Sequence, residues 1–208
     1  MFLGGVVTTI HYYFPTAFQS VTFAPLLLLG VALSLFLGFR NNASYDRWWE
    51  ARKQWGQLLA HSRSLSRQVI SHIGGRSEDG DEMQKRLVYL TIAFNHALRH
   101  QLRESDPWGD IEKFLEASDI EELRRYQNLP DSLLRLMGRE LGSCRRQSLL
   151  SDFLIQSLDE HVNAMVGVQA ACERIQNTPL PFAYTLLVHR TAYLYCFILP
   201  FGIVMSVG

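Results

Sequence analysis

Charge is absent from both ends of this chain. No Asp, Glu, Lys or Arg occurs from Met1 to Phe39, and from Ile175 to Gly208 there is one, Arg190. Of the 20 basic and 20 acidic residues, all but Arg190 therefore fall between Arg40 and Arg174. A soluble fold scatters charge along its length to cover its surface, so uncharged ends around a charged middle predict membrane segments flanking a water-facing block. The whole-chain averages, 48% hydrophobic and 19% charged with no net charge, conceal this division.

Phe23 to Phe39 (FAPLLLLGVALSLFLGF) is uncharged for 17 residues. At about 1.5 Å rise per residue, with Ser20 to Thr22 added, it spans a hydrocarbon core of ~30 Å. Met1 to Phe14 is apolar but shorter and is interrupted by Pro15, as half of a hairpin or the rear of a longer helix would be. It lacks the basic start and small-residue cleavage site of a signal peptide. Thr191 to Gly208 is a third uncharged stretch. Pro200 inside it is tolerable in a membrane helix, where neighbours can satisfy the freed carbonyl. Both outer stretches are expected to be truncated. Arg40, Arg47, Arg52 and Lys53 follow the second stretch and Arg190 precedes the third, which places both flanks on the cytoplasmic side. The expected organisation is transmembrane segments over 1–39, with a pore-neck helix at 23–39, a cytosolic helical region over 40–190, and a transmembrane segment over 191–208.

Within the charged block, Asn42 to about His72 has the spacing of a long helix that Gly74–Gly75 ends. Arg76 to Glu82 (RSEDGDE) predicts a solvated loop, and Met83 to Leu102 a second helix broken at Asp106–Pro107. Short helices are expected over Ile111 to Leu123 and Pro130 to Leu141. Ser151–Asp152 is the N-cap of a helix to about Ile175, and Asn177 to Pro181 (NTPLP) breaks the chain before it re-enters the bilayer. No stretch alternates as a strand does, so the expected class is all-α.

Two rows four residues apart run down the second stretch. Gly30, Ser34 and Gly38 form a small row that permits close helix approach in lipid. Val31, Leu35 and Phe39 form a bulky row about 100° further round. Several copies of this helix around an axis, bulky row inward, would make a narrow apolar constriction that controls wetting. The alternative is a row that faces lipid or another helix.

These residues also carry a resemblance. FLGFRNN (Phe36 to Asn42), YDRWWEARKQWGQ (Tyr45 to Gln57), CERIQNTPLPFAY (Cys172 to Tyr184) and His189–Arg190–Thr191 occur in an order that resembles the bestrophin family, particularly its bacterial branch. The resemblance implies a homopentameric channel with all-α subunits, passing small monovalent ions passively across the bacterial inner membrane. It implies that Val31, Leu35 and Phe39 are the hydrophobic neck, and that a second constriction at the cytosolic exit uses Phe153 or Ile155. About thirty residues before the first span, a last span and a C-terminal tail are expected beyond this sequence. Calcium binding in eukaryotic relatives uses that tail and does not carry over. The sign of the permeant ion stays open, because the family includes chloride and other anion channels while its bacterial members are more cation-permeable.

Other chemistry is weakly signalled. Balanced charge argues against nucleic acid as a partner. No nucleophile elbow, phosphate loop, dinucleotide fingerprint or metal triad is present, so no enzyme and no cofactor is expected. His96 and His100 have a chelating spacing but no HExxH pattern, and read as packing or surface residues. Cys144, Cys172 and Cys196 are spaced as unpaired thiols. Trp48, Trp49 and Trp55 suit a bilayer interface or a subunit contact. Asn41, Asn42, Asp46 and Arg47 could line a pore below the neck or cross-link helices. The expected partners are other copies of the chain, the lipid bilayer and monovalent ions; the second functional class that fits is a membrane-anchored helical sensor or scaffold without a pore.

Overall fold

The structure, a computed structural model, describes residues 2–14, 24–73 and 78–207. The regular structure of these residues is helical: α1 (Phe2–Tyr13), α2 (Ala24–His72), α3 (Glu78–Leu102), α4 (Trp108–Ile111) running into a 3₁₀ turn (Glu112–Phe114), α5 (Ala117–Leu123), α6 (Leu129–Arg146), α7 (Asp152–Asn177) and α8 (Phe182–Val207). The chain divides into two compact units, one of residues 1–48 with 179–208 and one of residues 49–178.

In the first unit, α1 packs along α8, with Val7 and Val188 buried. The expected second span and the long helix after it are one 49-residue helix, α2. Nothing between Phe39 and Asn42 breaks it: Arg40 and Asn41 are tolerated in a helix interior, and Ser44 returns its hydroxyl to the Arg40 carbonyl. Residues 15–23, which include Pro15 and Phe23, and residues 74–77, which include Gly74, Gly75 and the start of the expected 76–82 loop, lie outside the described residues. α8 begins nine residues before Thr191, directly after Pro181, and continues through Pro200. α2 and the C-terminal stretch each hold a window long and apolar enough to cross a membrane, and only 6% of the window in α2 is buried inside the chain.

The second unit has a core of its own. Leu65 and Val69 from α2, Leu87, Leu90, Phe94 and Leu98 from α3, Leu133, Met137 and Leu141 from α6, and Leu158 and Met165 from α7 share one buried cluster. Their spacing, three or four in α2, α3 and α6 and seven in α7, is the apolar stripe of an amphipathic helix. α3 starts at Glu78, earlier than the solvated loop expected to reach Glu82, because Glu78, Asp79 and Asp81 sit in its first turn, where carboxylates are favoured by the helix dipole. The expected helix over 111–123 is split, since Leu115 turns extended and Glu116 restarts the chain. α6 outruns its expected end to Arg146, where Ser148, with φ of 56°, closes it by Leu149 N–H donating to the Cys144 carbonyl. Ser151 caps α7, its hydroxyl accepting from Leu154 N–H.

Ion pairs and amides complete the second unit. Arg86 lies 3.0 Å from each carboxylate oxygen of Asp119 and 3.1 Å from Glu140, tying α3 to α5 and α6. Glu173 accepts from Gln101, Asn128 and Gln169, so α3, the α6 cap and α7 converge on one carboxylate. Burial alone would push the Glu173 carboxyl up, but those three hydrogen bonds outweigh it and hold the group below its usual range.

Candidate functional site

Val31, Leu35 and Phe39 stand 69%, 56% and 57% exposed on α2. They share one shallow groove with Ser34, Gly38 and Asn42, so the bulky and small rows make a single face with a polar residue at its lower end. Large apolar side chains left this open along a helix need another surface to cover them, whether lipid or protein. Asn41 and Asp46 are exposed nearby, and Arg47 is half-buried.

The small row does not act as a unit. At Gly30 an added Cβ would stand 3.2 Å from the Tyr195 ring, so this glycine makes room on α2 for the Tyr195 side chain of α8. At Gly38 an added Cβ meets nothing within 4 Å. Ser34 and Gly38 therefore open towards whatever covers the groove.

The structure separates the two residues expected at the exit. Phe153, in the first turn of α7, is 87% exposed. Ile155, two residues on and about 200° round the helix, packs against the core with Leu154.

Elsewhere, candidate groups are occupied structurally. His96 and His100 converge on Asp110, at 3.6 Å and 3.0 Å, a third ligand type that their spacing alone did not disclose. Arg99 also pairs with Asp110, which puts a cation where a metal would have to bind. Hydrogen bonds from His100 and Arg99 hold the Asp110 carboxyl down at about 2. Cys144 and Cys172 are buried thiols, and burial with the nearby Glu140 pushes Cys144 up to about 11. Tyr45 stacks at a tilt on Trp48, and Trp55 packs partly against the core.

One arrangement has no sequence signal of its own. His61 on α2 and His161 on α7 bring their Nδ1 atoms to 3.3 Å, 100 positions apart in the chain. A fold is needed to see it, because neither histidine sits in a motif.

Comparison with known proteins places this geometry. Residues 1–208 match the family model described as bacterial/fungal bestrophin protein. A voltage-dependent anion channel-forming protein of Mesorhizobium japonicum is 42% identical over 98% of this chain and 64% of its own length. One of the same description from Escherichia coli is 43% identical over 89% of this chain and 59% of its own. The chain thus spans less than two thirds of either relative. A crystal structure of a bacterial bestrophin homologue from Klebsiella pneumoniae superposes with a TM-score of 0.90 at 35% identity, covering 98% of this chain and 74% of that one.

Proposed function

This chain belongs to the bacterial/fungal bestrophin family, and from that premise we propose that it is the subunit of a homopentameric channel carrying small monovalent ions passively across the bacterial inner membrane. The observation that carries the reading is the open face of Val31, Leu35 and Phe39 beside Ser34 and Gly38. Membrane-protein relatives make lipid or sister helices the available cover. In a ring of α2 helices the bulky row turns to the axis as the neck, and Ser34 and Gly38 let neighbouring backbones close in. An ion then meets an apolar ring that strips or excludes its water, which sets a barrier to conduction.

Phe153 forms the second constriction, at the cytosolic exit, while Ile155 belongs to the core. Support comes from their exposures: five copies of an 87%-exposed phenylalanine can ring an axis, and a core-packed isoleucine cannot leave its neighbours to do so. The basic flanks of residues 40–190 put that region in the cytosol. The names of the relatives favour anions.

The test is flux from liposomes holding the full-length protein, with oligomer size measured on the same sample. A pentamer that conducts supports the reading, and its reversal potential in a salt gradient gives the sign of the ion. An intact pentamer without flux would return the chain to the scaffold class.

A further inference from the structure

The His61–His161 contact is the last link of a hydrogen-bonded chain with one direction. Ser157 donates its hydroxyl to Gln68 Oε1 at 3.2 Å. The amide therefore presents its N–H to His161 Nε2, at 3.2 Å. Nε2 must accept, so the proton of neutral His161 sits on Nδ1 and is donated to His61 Nδ1 at 3.3 Å. At neutral pH each of these three links sets one donor against one lone pair. Ser157 lies one helical turn beyond Phe153, so this chain fastens the early turns of α7 to α2.

Protons undo the arrangement in two steps. One proton on the pair is accommodated, because a single N–H still faces a lone pair across the Nδ1–Nδ1 gap once the Gln68 amide rotates and Ser157 turns its hydroxyl to accept. A second sets two N–H groups and two like charges against each other across 3.3 Å with no lone pair between them. We propose that the His61–His161 pair is a proton-sensitive latch, closed at neutral pH and opened by acid, that controls how firmly Phe153 is held at the exit. The proposal rests on the assignment of Phe153 to the exit.

The charged groups facing His161 are Arg67 on α2, which opposes its protonation, and Glu160 on α7, which favours it. Burial, followed by the neighbouring His61, holds His161 below its ordinary value. A histidine with a lowered value in the latched state favours that state above its ordinary pKa of about 6.5, and the advantage is lost as pH falls below it. The working window is therefore neutral to mildly acidic.

The experiment compares the full-length pentamer with a His61→Gln/His161→Gln double variant, whose amides can pair without titrating, and with Phe153→Ala. Amide hydrogen exchange over residues 153–157, corrected for intrinsic rates, is read at pH 8 and pH 5.5, with liposome flux at both. The wild type should lose protection over these residues at pH 5.5 relative to pH 8. Its flux should rise on acidification, and the double variant should show neither change. Equal protection at both pH values, or an equal loss in the double variant, overturns the latch. A loss of protection confined to the wild type, with the same flux response in both proteins, overturns its control of the exit. If Phe153→Ala leaves flux unchanged, the exit assignment fails separately, and the exchange result still decides the latch.

Discussion

The Gly30 Cα hydrogen faces the edge of the Tyr195 ring so closely that a Cβ would be 3.2 Å from it, whereas Gly38, two turns further along α2, faces open space. The same residue type in the same row thus has two surroundings, one within the chain and one at its exterior. Gly30→Leu should displace α8 and lower the yield of folded protein. Gly38→Leu should leave the subunit's helicity unchanged and block its assembly. Circular dichroism and size-exclusion chromatography in detergent separate the two outcomes. A Gly38→Leu protein that still forms the oligomer would show that Ser34 and Gly38 do not face a neighbouring subunit.

Arg86 is the anchor of the second unit. With its side chain removed, Asp119, whose side chain is 4% exposed, and Glu140, at 12%, are left as near neighbours without their shared cation. Arg86→Met should destabilise by about 3 kcal/mol, within the range for breaking a buried ion pair, and lower the melting temperature. Asp119→Asn with Arg86→Met should recover part of the loss, since the stranded charge is then gone. An Arg86→Met protein with an unchanged melting curve would mean the pair contributes nothing.

What the sequence disclosed follows from the range of the forces involved. Charge distribution and the spacing of small and bulky residues are local, so the apolar ends, the two rows on α2 and the Ser151 cap could be read directly. Junctions were harder. Nothing in FLGFRNN marks the passage from an apolar to a charged helix, and α2 crosses it unbroken because Arg40 and Asn41 are tolerated in a helix interior. The acidic stretch from Glu78 looked like a loop because solvated loops and helix N-termini share a taste for carboxylates. The difference between Phe153 and Ile155 is one of tertiary burial, which two apolar residues in one helical turn do not declare. The His61–His161 contact depends on how α2 and α7 pack.

That difference of burial predicts opposite phenotypes for adjacent substitutions. Ile155→Ala should cost about 2 kcal/mol of stability, the scale for truncating a partly buried isoleucine, and change flux only in step with the amount of folded protein. Phe153→Ala should alter the melting curve by less than about 0.5 kcal/mol, as an exposed position does, and still increase flux per folded channel. The pair of measurements is a thermal melt in detergent and a flux assay normalised to reconstituted protein. If Phe153→Ala proved the destabilising change and Ile155→Ala the conducting one, the assignment of the exit would be reversed.

The proposed neck of Val31, Leu35 and Phe39 gives the last prediction. A narrow apolar ring limits conduction because water leaves it readily and an ion cannot cross it with its hydration intact. Leu35→Ala or Phe39→Ala should widen the ring and raise the current several-fold, while Val31→Ala, which removes less bulk, should raise it less. The sign of the permeant ion should change little, since none of the three side chains carries a charge that would discriminate. Stability should also change little in the isolated subunit, because all three are more than half exposed there and their truncation opens no cavity. The three effects therefore separate conduction from folding, which is what a lining residue requires and a packing residue would not show. If replacement of Val31, Leu35 and Phe39 together by alanine in a correctly assembled pentamer left both current and gating as they were, the row would lie against lipid or a neighbouring helix, and the constriction would have to be sought at Phe153.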